Sequence, residues 1–138
     1  MIDCMIIGDS IATGVAMVRT ECVSYARGGW NSWQWNKDYL GNVQQRPSNT
    51  LIISLGANDH KGVKTEAELR KMRSTVSAKR VFWIGIGPDR KPDVQAAIEK
   101  VAAEFGDTVI KRPDRHLISS DGIHPTPAGY RKIAEQTK

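Results

Sequence analysis

Cys4-Met5-Ile6-Ile7-Gly8-Asp9-Ser10 is the stretch whose reading decides the fold. A short apolar run that stops abruptly at Gly8-Asp9-Ser10 reads as a strand buried on both faces, feeding a loop or a helix N-terminus. Two later runs have the same form. Leu51-Ile52-Ile53-Ser54-Leu55 gives way to Gly56-Ala57-Asn58-Asp59, and Val81-Phe82-Trp83-Ile84-Gly85-Ile86 gives way to Gly87-Pro88. Strands that are apolar on both faces need helices on both sides, which is the pattern of a parallel sheet. Ser10 then has two readings. It caps the helix that follows, a common task for serine after a strand, or it is a nucleophile at the carboxyl edge of the sheet, where ligands gather.

The remaining elements alternate in the same way. Ile11 to Val18 is a short helix, and Glu21 to Ala26 a strand ended by Arg27-Gly28-Gly29. Asn31 or Ser32 caps a helix that reaches roughly to Gln45, with Trp33, Leu40 and Val43 on its inner side. Thr50 to Leu55 is the third strand. Lys64 to Ser77 is an amphipathic helix with Leu69, Met72 and Val76 on one face. Arg80 to Gly87 is the fourth strand. A helix opening at Pro92 carries Val94, Ala97, Ile98, Val101, Ala102 and Phe105 at helical spacing and ends at Gly106. Thr108 to Lys111 is a fifth strand, and Thr126 with Pro127 opens a last helix. The chain is therefore expected to be one α/β domain spanning residues 1–138. Its sheet is five parallel strands in the order 2-1-3-4-5, with right-handed crossovers. That order brings Ser10, Gly29 and Asn58 to one edge.

Composition narrows the function classes. No apolar run is long enough to cross a bilayer. The first residues are strand-like, carry Asp3 and lack a basic leader, so the expectation is a cytoplasmic chain without membrane contact, phage-encoded or non-classically exported forms being left open. Cys4 and Cys22 fall in strands that could be neighbours, so a bridge is conceivable. Two buried free thiols in a reducing compartment is the expected state. No CxxC or Cys/His spacing points to a metal, and no cofactor motif is present. Thr13-Gly14 after Ser10 invites a phosphate-cradle reading, which no glycine-rich pattern supports. The formal charge of +5 favours anionic partners, such as polyanionic cell-wall or capsule polymers. The basic residues match no nucleic-acid motif, so nucleic acid is not expected as a partner.

Acyl transfer by a serine needs a hydroxyl, a base, a group that orients the base, and donors for the oxyanion. Ser10 is the hydroxyl. His124 is the base, since it alone of the three histidines has a carboxylate, Asp121, at a close fixed spacing in a Gly/Pro-pinned loop. Asn58 offers a side-chain amide to an oxyanion, and the backbone N–H groups of Ser10 and Gly29 complete the hole. His116 and His60 read as solvent-facing, though His60 follows the Asn58 block and could line the site. Trp30 directly follows Gly29 and is a candidate substrate contact, while Trp33 and Trp35 read as core.

Gly8-Asp9-Ser10, the glycine of Arg27-Gly28-Gly29-Trp30-Asn31-Ser32, Gly56-Ala57-Asn58-Asp59 and Asp121-Gly122-Ile123-His124-Pro125 resemble, in order, the four blocks of the SGNH (GDSL-type) hydrolases. The blocks span nearly the whole chain. The resemblance implies a flavodoxin-like three-layer α/β/α sandwich and metal-free hydrolysis of an ester, thioester or amide. It implies Ser10 as nucleophile, Asp121 and His124 as the rest of the triad, and Gly29 and Asn58 as oxyanion donors. Gly29 fits better than Gly28, because Trp30-Asn31-Ser32 follows it in the usual register. The chain is short for the family, which suggests trimmed loops and an open site. With the tryptophans nearby and a basic surface, the expected substrate is a small-molecule or glycan ester, most simply a carbohydrate O-acetyl or other short-acyl ester. A lysophospholipase or thioesterase, and an inactive polysaccharide-binding module, are the alternatives.

Overall fold

The first apolar run divides its side chains between two cores. Cys4 and Ile6 join Ile11, Ala12, Val15, Ile52, Ile84, Ile133 and Ala134, while Met5 and Ile7 join Trp35, Leu51, Ile53, Leu69, Trp83 and Ile98. Successive residues of a strand point to opposite faces, so one run can feed both. Met5, Ile6 and Ile7 are fully buried, each contributing about 2 kcal/mol of burial free energy.

The computed structural model describes residues 1–87 and 89–138. Strands β1 (Ile2–Gly8), β2 (Val23–Ala26), β3 (Ser48–Ser54), β4 (Ala78–Ile84) and β5 (Thr108–Ile110) form one sheet in the order β2-β1-β3-β4-β5. Every pairing is parallel. Helices α1 (Ser10–Val18) and α5 (Pro127–Glu135) cover one face, and α2 (Ser32–Val43), α3 (Thr65–Thr75) and α4 (Pro92–Phe105) cover the other. This is the expected three-layer sandwich with the expected strand order. Pro88, read as part of the stop after the fourth strand, lies outside the described residues.

Two expectations are corrected. Cys4 and Cys22 are not free thiols but a disulfide, with their Cα atoms 4.6 Å apart. The β1–β2 register opposes Met5 to Val23, so the preceding residues, Cys4 and Cys22, fall side by side. Trp33 is not in the core: it is 51% exposed, with the Lys37 ammonium 5.2 Å from its ring centre. The Asn31 capping box fixes the phase of α2 and turns Ser32, Trp35, Asn36, Leu40 and Val43 inward instead. Trp35 is fully buried, and its indole N–H donates to the Tyr25 carbonyl at 2.8 Å. Gly14 serves helix packing and not a phosphate: a Cβ there would lie 2.2 Å from the Tyr130 ring, where α1 crosses α5.

Candidate active site

β1 and β3 converge where the site begins. Gly8 has φ +138°, and a Cβ on it would meet the Ser54 carbonyl oxygen at 1.8 Å; only glycine lets the two backbones approach so closely. The Asp9 N–H donates to that same Ser54 carbonyl at 3.0 Å. Asp9, not Ser10, is the N-cap of α1, which corrects the capping reading of Ser10. Its Oδ1 accepts from the Ile11 N–H (3.1 Å) and the Ser54 hydroxyl (3.0 Å). Ser10 is consequently the first residue of the helix, and its hydroxyl is left to pair with His124 Nε2 at 2.8 Å. Asp9 is fully buried, and its Oδ2 has no hydrogen-bond partner among the described residues. Burial pushes this carboxyl up to about 6.

His124 comes from a turn after β5. Its Nδ1 lies 2.7 Å from Asp121 Oδ2. Asp121 Oδ1 also accepts from the backbone N–H groups of Ile123 (2.8 Å) and His124 (2.9 Å) and from the Ser119 hydroxyl (2.9 Å). The imidazole, those two N–H groups and Ser119 hold the Asp121 carboxyl well below the usual carboxylate range. An ionised carboxylate only accepts, so Nδ1 carries the ring proton and Nε2 faces the Ser10 hydroxyl as an acceptor. The turn is closed by the Ser119 N–H donating to the His124 carbonyl at 2.8 Å and by an antiparallel bridge between Ile118 and Pro125. From behind, the Arg112 guanidinium donates to the Gly122 carbonyl, joined by Arg90 Nη1 at 3.5 Å.

Asn58 sits in the loop after β3. One of its two amide N–H donors goes to the Trp30 carbonyl at 3.0 Å, which leaves the other for a ligand. The loop is held from below by Asp59, 3% exposed, which accepts from the Ser32 N–H (2.8 Å), the Ser32 hydroxyl (2.6 Å) and the Thr65 hydroxyl (2.8 Å). Lys91 Nζ donates to the carbonyls of Ala57 (2.9 Å) and Asp59 (2.7 Å) and so ties the loop to the start of α4. Of the two glycines after β2, Gly28 is the one that stands near Ser10. Gly29 has φ +81° with open space around it, and a Cβ on Gly28 would lie 3.7 Å from the Ser10 Cβ.

Trp30 is half-buried. Its ring packs on Tyr39 at 5.5 Å between centroids and carries the Arg27 guanidinium at 5.0 Å. His60 is exposed, accepts the Gly62 N–H at 3.0 Å through Nδ1, and faces a groove with Trp33 and Lys64. The structure thus brings Ser10, His124 and Asp121 into one hydrogen-bonded chain. Asn58 joins the rim through Trp30, and His60 stands apart. An apolar cleft of only about 20 Å³ is lined by Ile11, Ala57, Ile84, Ile86, Ile123 and Pro125. Of these, Ile11 follows Ser10, Ala57 precedes Asn58, and Ile123 and Pro125 flank His124.

Sequence reasoning missed Asp9 as the cap, Asp59 as the loop's buried hub, and Ser119, Arg112 and Lys91 as supports. Asp9 and Asp59 stand next to Ser10 and Asn58 in the motifs, and that adjacency was the available signal. Arg112 and Lys91 carry no local pattern, because each acts on a backbone carbonyl of another stretch, whereas Ser119 acts within its own turn, two residues before Asp121.

The model of the GDSL-like Lipase/Acylhydrolase family matches residues 6–132. No curated protein matches the chain by sequence. Among solved structures, a GDSL-like lipase from Bacteroides thetaiotaomicron superposes with TM-score 0.70 at 15% identity, covering 97% of this chain and 84% of that one. An acetyl xylan esterase from Geobacillus stearothermophilus gives 0.62 at 15% identity over 96% and 90% of the two chains. The C-terminal catalytic domain of the peptidoglycan O-acetyltransferase A of Streptococcus pneumoniae gives 0.65 at 17% identity over 96% and 88%. At these identities the likeness is one of fold.

Proposed function

The chain belongs to the GDSL-like lipase/acylhydrolase family, and from that premise we propose that it cleaves a short-acyl ester of a carbohydrate through an acyl-enzyme on Ser10. The observation that carries the reading is the unbroken chain from Ser10 Oγ to His124 Nε2 (2.8 Å) and from His124 Nδ1 to Asp121 Oδ2 (2.7 Å). Ser10 Oγ attacks the ester carbonyl carbon and passes its proton to His124 Nε2. Asp121 holds the imidazole tautomer and stabilises the imidazolium. The tetrahedral oxyanion is met by the Ser10 and Gly29 backbone N–H groups and by the second amide N–H of Asn58, and the N-terminal end of α1 adds its field. Collapse expels the alcohol, which takes the proton from His124. Water, deprotonated by His124, then releases the acid and restores Ser10.

The apolar cleft next to Ser10 supports a short acyl group. At about 20 Å³ it has no room for a long chain, and the open grooves elsewhere on the surface, about 550 to 930 Å³, are not apolar channels. A lysophospholipase or thioesterase would need a longer apolar channel. A sugar as the leaving alcohol is supported by the open site, with Trp30 and Arg27 at its rim. Among the described residues no helix is long and apolar enough to cross a membrane. The Cys4–Cys22 bridge supports an oxidising compartment over the expected cytoplasm. The test is hydrolysis of p-nitrophenyl acetate by the wild type and by Ser10→Ala. Turnover by the wild type alone supports the reading, and equal turnover or equal inertness defeats it.

A further inference from the structure

A wide groove of about 930 Å³ lies behind the turn that carries His124. Its walls come from the ends of β4 and β5, the start of α4 and the stretch before Asp121. Four cations line it: Arg90, Lys111, Arg112 and Arg115. Two carboxylates answer them. Asp89 lies 3.9 Å from Arg112, and Glu99 is engaged by the Gln95 amide at 3.4 Å. Arg90 and Arg112 also spend N–H donors on the Gly122 carbonyl. Lys111 and Arg115 are exposed and form no ion pair among the described residues. Ser119 and Ser120 also line the groove.

The groove shares part of its lining with the apolar cleft: Gly85, Arg90, Arg112 and Pro113 border both. The cleft in turn is lined by Ile11, Ala57 and Ile123, the chain neighbours of Ser10, Asn58 and His124. A trough lined by cations and hydroxyl-bearing side chains suits a chain that carries repeated negative charges and sugar hydroxyls.

We propose that this groove binds an acidic polysaccharide, so that the ester cleaved at Ser10 is a short acyl group on a carboxylate-bearing glycan. The inference rests on the acyl-enzyme reading above and names its substrate class. The ester argues for a glycan over a nucleic acid. A phosphodiester backbone carries no acyl ester for Ser10 to attack, whereas sugar hydroxyls are readily O-acylated. The small acyl cleft argues against an anionic lysophospholipid, whose acyl chain would have no channel.

Two measurements test it together. In the first, kcat/KM is compared on chemically O-acetylated polygalacturonate and on chemically O-acetylated xylan, at low and at high salt. The proposal expects the acidic polymer to be favoured about tenfold at low salt. High salt and the double variant Lys111→Glu/Arg115→Glu should both remove that preference. In the second, unacetylated polygalacturonate is titrated into Ser10→Ala by calorimetry, with and without the Lys111→Glu/Arg115→Glu changes, melting curves confirming that each variant is folded. Salt-sensitive binding that the double change weakens about tenfold supports the groove without any turnover. Equal rates on the two polymers, no binding of polygalacturonate, tighter binding of duplex DNA than of polygalacturonate, or preferred cleavage of lysophosphatidylglycerol each overturn it. If p-nitrophenyl acetate is untouched by the wild type, the acyl-enzyme reading fails, and the calorimetry still decides the groove.

Discussion

Ser10 follows the buried end of β1, whereas His124 hangs in a turn that is largely open to solvent. The two regions are built by different means. Around Ser10, Gly8, Asp9 and Ser54 knit β1 to β3 with hydrogen bonds that are also core contacts. Around His124, the side-chain chemistry of Asp121, Ser119 and Arg112 does the holding, and little apolar area is buried in the turn. The comparison teaches where substitutions should act. Changes near Ser10 disturb folding as well as chemistry, while changes in the turn disturb chemistry with the fold intact. The two aspartates show the same division. Asp9 is pushed up by burial, and Asp121 is pulled down by the imidazole and N–H groups it accepts from.

The largest effect should fall in the turn. Asp121→Asn keeps the shape but loses the acceptor that fixes the His124 tautomer. Its kcat on p-nitrophenyl acetate should drop about 10,000-fold, with a melting temperature close to that of the wild type. A comparable loss of stability would break the division between the two regions.

Asp9 supplies the next test, through pH. Burial raises its pKa in the folded chain from 3.8 to about 6. Between these values the folded state keeps a proton that the unfolded chain has released, so this group's contribution to stability falls as pH rises. The fall amounts to on the order of 3 kcal/mol and is complete above about 6. Asp9→Asn does not titrate. The difference in unfolding free energy between Asp9→Asn and the wild type, from urea melts, should therefore shift in the variant's favour across this window. Parallel curves would show that Asp9 is not the buried titrating group.

Ser119→Ala should have the smallest effect. It removes one of several donors to Asp121 and one clamp on the turn, so kcat should fall about tenfold with little change in KM or melting temperature. A loss as large as that of Asp121→Asn would make Ser119 far more than a support.

The same contrast explains what could be read in the residues alone. The parallel sheet followed from apolar runs at 4–7, 51–55 and 81–86, because a strand segment buried on both faces is apolar, and the strand order followed from the alternation of strands and helices in a doubly wound topology. The members of the site followed from four short blocks whose spacing is local. Whether Asp9 or Ser10 caps α1 depends on where the helix begins, and neighbouring polar residues compete for that place. The Cys4–Cys22 bridge depends on the register between β1 and β2, which no local pattern encodes. Trp33 and Trp35 differ only in helical phase, set by the Asn31 capping box. Arg112 and Lys91 reach carbonyls in distant stretches, so their roles exist only once the chain has folded.

The central claim is that Ser10 is a nucleophile activated by His124. Fluorophosphonate labelling followed by peptide mass mapping tests it most directly. The account predicts one adduct per chain, on Ser10, formed by the wild type and absent from both His124→Ala and Ser10→Ala. An adduct on another residue, or labelling of Ser10 that is as fast in His124→Ala as in the wild type, would contradict it.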